Sequence, residues 1–199
     1  MDIQKISSKI FITGKSGFGK TVYSKIISKD IKRLIVIDPL QEYENTIVCE
    51  TLEDLTDYLK KQNEFRISVF DDSLSEDIFE IAWIVENITI VIEEVDIICN
   101  PSFIGRNFGN CLKRGRHKGI DLIYSTQRPA LVNRLLTSQL TDCIVFQTTE
   151  PLDIKYLANY VNSRKELIDE LGNLQPLNFI NLTKEKKGVI IDFNNLSYI

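Results

Sequence analysis

The chain has 199 residues, 43% of them apolar and 26% charged, with a formal net charge of −4. That length suits one domain, and that composition excludes collagen, coiled coil and wholesale disorder. No uncharged apolar run approaches the roughly 20 residues a membrane span needs, which argues against an integral membrane protein.

Taken in order, short runs rich in Ile and Val alternate with helical patterns. Strands are expected at 10–12, 34–37, 67–70, 88–92, 122–124 and 143–146. Helices are expected at 20–28, 52–61, 76–86, 103–116, 131–140 and 154–161. Several strand runs lack in–out alternation, as parallel strands covered on both faces do. The pattern predicts an α/β layer fold around a mostly parallel sheet. The tail departs from it: 179–182 and 188–193, joined by a Lys-rich turn at 184–187, read as a β-hairpin that extends the sheet antiparallel.

The first motif is Gly14-Lys15-Ser16-Gly17-Phe18-Gly19-Lys20-Thr21, which matches GxxxxGK[ST] at every fixed position. It follows an apolar run and opens a helix, the setting a phosphate-binding loop requires. Glycines let successive N–H groups turn inward toward phosphate oxygens, and the helix N-terminus adds partial positive charge. Lys20 then reaches the β- and γ-phosphates, and the Thr21 hydroxyl takes Mg²⁺.

Such a loop needs an acid at the end of a neighbouring strand. Ile88-Thr89-Ile90-Val91-Ile92 delivers Glu93 and Glu94 there. Glu93 is expected to hold Mg²⁺ through water, and Glu94 to act as general base on the attacking water. Asp71 and Asp72, after the 67–70 run, compete for the same role. Asp38 is another strand-end acid, suited to the nucleotide surroundings or to capping the next element. Gln127 ends the 122–124 strand region, where a neutral amide can orient water or report phosphate loss, and Pro129 closes a turn behind it.

Charge is uneven. Between 97 and 141, Arg106, Lys113, Arg114, Arg116, Lys118, Arg128 and Arg134 face a single acid, Asp121. A basic block in an acidic chain suggests a polyanion partner. His117, the only histidine, is expected at the surface among these bases; Trp83, Tyr156 and the Asn159-Tyr160 pair are expected to pack helices on the core. Cys49, Cys99, Cys111 and Cys143 form no CxxC pair and read as buried thiols. The N-terminal MDIQKISSKIFITGKSG lacks the apolar stretch and cleavage site of a secretory signal.

The loop at 14–21, the Ile-Val-Ile-Glu-Glu run and the segment Arg-Gly-Arg-His-Lys-Gly through Gln127-Arg128-Pro129 together resemble the FtsK/HerA superfamily of ATP-driven DNA motors. Arg116, Gly119, Gln127, Arg128 and Pro129 match its pattern residue by residue, and the resemblance runs from about 9 to 161. It implies a RecA-like P-loop NTPase fold, ATP with Mg²⁺, double-stranded DNA as partner, and a homo-oligomeric ring, a hexamer. It also implies an arginine finger supplied by a neighbouring subunit, Arg116 first, with Arg114, Arg106 and Arg128 as fallbacks. A bare core of this length is similar to the genome-packaging ATPases of internal-membrane icosahedral viruses, which implies a capsid or membrane-vertex partner and a place in the host cytoplasm or the virion. A plasmid or cellular translocase, and a slow nucleotide-gated binding or scaffold ATPase, stand as alternatives.

Overall fold

The computed structural model describes residues 8–160, 165–192 and 194–198. Its strands are β1 (Lys9–Thr13), β2 (Arg33–Ile37), β3 (Ile47–Val48), β4 (Phe65–Val69), β5 (Ile88–Ile92), β6 (Cys99–Asn100), β7 (Phe103–Ile104), β8 (Ile120–Thr126), β9 (Asp142–Val145), β10 (Asn178–Asn181), β11 (Lys186–Asp192) and β12 (Asn195–Tyr198). Its α-helices are α1 (Lys20–Ser28), α2 (Leu52–Lys61), α3 (Ser75–Val85), α4 (Arg106–Arg114), α5 (Arg134–Thr137), α6 (Pro151–Tyr160) and α7 (Lys165–Glu170).

Ten strands make one sheet, in the order β12-β11-β10-β9-β1-β8-β5-β2-β4-β3. From β9 to β3 every pairing is parallel, and β10, β11 and β12 continue it antiparallel. The parallel run explains the unbroken apolar strands: every residue of β5 is buried. One face is covered by α2, α3 and α4, with the Phe79 and Phe108 rings stacked 4.4 Å apart between α3 and α4. On the other face α1 presses Tyr23 edge-on against Phe146 and Phe179. Helix ends follow local chemistry: Thr51 and Asp54 form a reciprocal capping box at the start of α2.

Three expected elements come out differently. The expected helix at 103–116 begins only at Arg106, because Phe103–Ile104 pairs with Cys99–Asn100 in a short ribbon. A 3₁₀ turn, Gly115–Lys118, follows α4 and ends at Gly119, whose φ of 65° and 2.4 Å approach of a would-be Cβ to Asn87 leave room only for glycine. The expected helix at 131–140 shrinks to α5: Pro129 opens a separate 3₁₀ turn, and the Asn133 side chain caps Leu135 N–H. The expected terminal hairpin is a three-stranded meander, since β12 adds to β11. Helix α6 starts at Pro151, earlier than expected; Val161 and Phe193, at the expected ends of the helix and hairpin, lie outside the described residues. Sequence patterning did not anticipate β3 or α7. The four cysteines are buried and free, and burial pushes the thiols of Cys111 and Cys143 up to about 12.

Candidate functional site

The loop at 14–21 joins the end of β1 to the start of α1. Gly14 (φ 137°) passes so close to Phe146 that a Cβ would lie 2.7 Å from that residue's own Cβ. Lys15 N–H donates to Gln147 O at 2.7 Å, tying the loop to the strand edge next to it. Gly17 (φ 78°) is different, because a Cβ there would meet nothing within 4 Å. From behind, Leu177 N–H donates to Phe18 O at 3.0 Å, so the segment leading into β10 braces the loop.

Lys20 is buried, 7% exposed, rather than lying in an open loop. Burial pulls its ammonium pKa down, while the charges of Glu94, Glu93, Glu42 and Asp96 push it back up. A single buried cation thus faces four carboxylates.

Strand β8 lies between β1 and β5, so all three strand ends open onto one sheet edge. Glu93, just past β5, is 3% exposed and caged by hydroxyls. Ser24 Oγ (2.5 Å) and Tyr43 OH (3.0 Å) donate to its Oε1, and Ser125 Oγ (2.6 Å) donates to Oε2. Burial raises its pKa, and the three hydroxyl bonds oppose that rise. Glu94 holds a left-handed backbone conformation (φ 52°, ψ 59°), uncommon for a non-glycine residue. Its N–H donates to Ser125 Oγ at 3.2 Å, and its Oε1 accepts from Gln127 Nε2 at 2.9 Å. Two residues further on, Asp96 accepts from Thr126 Oγ1 at 2.6 Å.

The other sequence candidates fall elsewhere. Asp71 accepts from the Ser73 N–H and hydroxyl, closing a turn, and β4 stands four strands from β1, about 19 Å away at the usual strand spacing. Asp38 is fully buried and accepts from the backbone N–H groups of Glu42 and Tyr43, so it caps the loop after β2. Arg128 Nε donates to the buried Asp153 carboxylate at 2.8 Å and is thereby engaged within its own chain. Arg116 is exposed in the turn before β8, at the opposite edge of the sheet. The seven residues of β8 put it about 20 Å from Gln127. Trp83 is half-buried against the core, with Lys118 Nζ 5.8 Å from its ring centroid, and Tyr156 OH bonds Thr137 Oγ1 at 2.7 Å.

Sequence reasoning missed Ser24, Glu42, Tyr43, Ser125 and Asp96. Ser24 had a signal, being one turn past Thr21 on α1. Ser125 had none: it stands level with Glu93 only because β8 pairs with β5, Tyr124 opposite Ile92. Tyr43 and Glu42 come from a loop whose path only the tertiary structure reveals.

The donor set fits the groups the loop motif implies. Space is open beside Gly17, and Thr13 Oγ1, at the strand end that leads into the loop, is buried without a hydrogen-bond partner among the described residues. Thr21, Glu93 and Glu42 supply hard oxygen ligands of the kind Mg²⁺ prefers. Among the described residues no three acids, histidines or cysteines cluster as an all-protein metal site.

No protein-family model matches the chain. Over 140 residues, 68% of the chain, it is 28% identical to the Probable helicase MJECL08 of Methanocaldococcus jannaschii; the match spans about a quarter (26%) of that relative. The genome packaging NTPase B204 of Sulfolobus turreted icosahedral virus 2, solved with AMPPCP, superposes with a TM-score of 0.73 at 17% identity, over 92% of this chain and 96% of that one. VirB4 of Thermoanaerobacter pseudethanolicus superposes at 0.67 with 13% identity, over 98% and 90%. No described helix is long and apolar enough to cross a membrane. With its loop, its strand order and its strand-end acids on one edge, this chain has the fold of the P-loop ATPases, as those packaging and VirB4 structures do.

Proposed function

We propose that the chain is a Mg²⁺-dependent ATPase that assembles into a ring, a hexamer, and drives double-stranded DNA, with genome packaging as its setting. The observation that carries this reading is the convergence of the 14–21 loop, the caged Glu93 and the Glu94–Gln127 pair on one sheet edge. Inward N–H groups of the loop and the Lys20 ammonium hold the phosphates. Bound at Thr21 and, through water, at Glu93, Mg²⁺ would offset phosphate charge. Glu94, bonded to the Gln127 amide, accepts a proton from the attacking water that Gln127 helps to place. Arg116 cannot reach this site across about 20 Å, so it serves a neighbouring copy, where a guanidinium stabilises charge developing on the γ-phosphate. The likeness to B204 of Sulfolobus turreted icosahedral virus, a DNA-packaging ATPase, supports DNA as the driven partner. A capsid or membrane-vertex protein is the further partner this setting implies, within the host cytoplasm or the virion.

An ATPase assay with and without duplex DNA, coupled to a size measurement, tests it. Turnover that rises with DNA and with assembly supports the motor. Slow turnover indifferent to DNA replaces it with a nucleotide-gated scaffold.

A further inference from the structure

The Thr21 hydroxyl does not bond Glu93. It donates to Glu42 Oε2 at 3.0 Å, and both groups are open to solvent. Glu42 is aimed there by a built loop. The fully buried Asp38 carboxylate accepts from Glu42 N–H (3.1 Å) and Tyr43 N–H (2.9 Å), one on each oxygen. Gln41 adopts φ 57°, and its N–H donates to Asp38 O. These bonds send two consecutive side chains the same way: Tyr43 OH to Glu93, Glu42 to Thr21.

Two features make Glu42 more than a surface acid. Adjacent oxygens in an octahedral Mg²⁺ shell, with metal–oxygen distances of about 2.0–2.1 Å, lie about 2.9 Å apart. The Thr21–Glu42 oxygen separation, 3.0 Å, is within about 0.1 Å of that value, so both could face one ion without moving apart. Glu93, in contrast, spends three of its roughly four acceptor sites on Ser24, Tyr43 and Ser125. It is poorly free to bind a metal directly.

Resting on the nucleotide-hydrolysing reading above, we propose that Glu42 is a direct ligand of the site's divalent cation, beside Thr21, while Glu93 acts through water. The loop after β2 would then carry a metal ligand that the loop motif and the β5 acids do not include.

Mn²⁺, which shares the octahedral oxygen preference, tests this without any turnover. The full chain is saturated with a non-hydrolysable ATP analogue and titrated with Mn²⁺, and the EPR signal of the free ion is followed. Glu42→Gln should weaken Mn²⁺ at least about tenfold, the scale on which metal sites respond to loss of a supporting group. Analogue affinity in EDTA should stay unchanged. Glu42→Asp keeps the charge but withdraws the oxygen by one methylene, and should also lose most of the affinity. Glu44→Gln, two residues along the same loop, should bind as wild type. Wild-type Mn²⁺ affinity in Glu42→Gln overturns the assignment. The same affinity in Glu42→Asp also overturns it, because charge rather than ligation would then suffice. If the unmodified chain binds the analogue neither with Mn²⁺ nor in EDTA, the nucleotide reading itself falls, a result distinct from a metal-only defect.

Discussion

The two edges of the parallel sheet are built from opposite charge and opposite bonding. At the carboxyl edge, acids dominate and each has a local answer: Glu93 its three hydroxyls, Glu94 the Gln127 amide, Asp96 the Thr126 hydroxyl, Asp38 two backbone N–H groups. At the amino edge, cations dominate. Lys9 is buried and spent on the Leu112 carbonyl and the Gln139 side chain, and burial, with the nearby Arg116 charge, lowers its pKa. Lys118 pairs with Glu86. Lys113, Arg114 and Arg116 are exposed and have no ion pair among the described residues. A satisfied anionic network holds its own geometry, and on the proposed reading it is where a cation and phosphates bind. An exposed cationic edge without such local answers is the surface that the proposed reading gives to a neighbouring copy or a nucleic acid.

The sharpest way to break this comparison is to remove the cation proposed to cross from one edge to the other. Arg116→Ala should bind ATP like wild type and hydrolyse it about 10³–10⁵-fold more slowly, since a finger acts on transition-state charge. Lys20→Ala should be inactive through its own P-loop. Mixing these two dead variants should restore part of the turnover, because some interfaces pair an intact Lys20 with an intact Arg116. Co-assembly without recovery places Arg116 in a structural role and moves the search to Arg114 or Arg106. Arg128 is a weaker fallback, being held by Asp153.

At the carboxyl edge, Glu94→Gln should retain ATP binding and slow hydrolysis roughly 10²–10⁴-fold, because an amide cannot accept the water proton. Single-turnover kinetics on pre-bound ATP would expose normal chemistry, which would remove Glu94 as the base. At the amino edge, the double change Lys113→Ala and Arg114→Ala should make the fall of log K for duplex DNA with log salt shallower by about 1–2. An unchanged slope would assign those cations to subunit contacts instead. The smallest effect is expected at the competing acid: Asp72→Asn should leave turnover as it is and shift stability by no more than about 0.5 kcal/mol, the range for a surface change.

Much of the site was legible because its signals are local. GxxxxGK[ST] is a backbone shape written in glycines, and a strand that is buried throughout must deliver whatever follows it to the sheet edge, as β5 delivers Glu93 and Glu94. Helix α2 and strand β5 match their expected bounds residue for residue, the first because its capping box and flanking charges lie within one turn. Helices 103–116 and 131–140 failed for the converse reason. Their apolar spacing is satisfied equally by a ribbon, a cap and two short turns, and Gly105, Pro129 and Asn133 decide between these only once neighbours are in place.

By itself, then, the sequence determined the glycine-rich loop at 14–21, the alternating α/β order, the strand-end acids and the excess of bases between 97 and 141, each a property of residues close together along the chain. Tertiary structure alone decided that β8 lies between β1 and β5, that Glu93 is locked by Ser24, Tyr43 and Ser125, that Glu42 meets Thr21, and that Arg116 sits at the far edge. Those facts depend on strand order and on where a long loop returns. Both are set by burying two apolar faces at once, a constraint spread over the whole chain and carried by no single stretch of it.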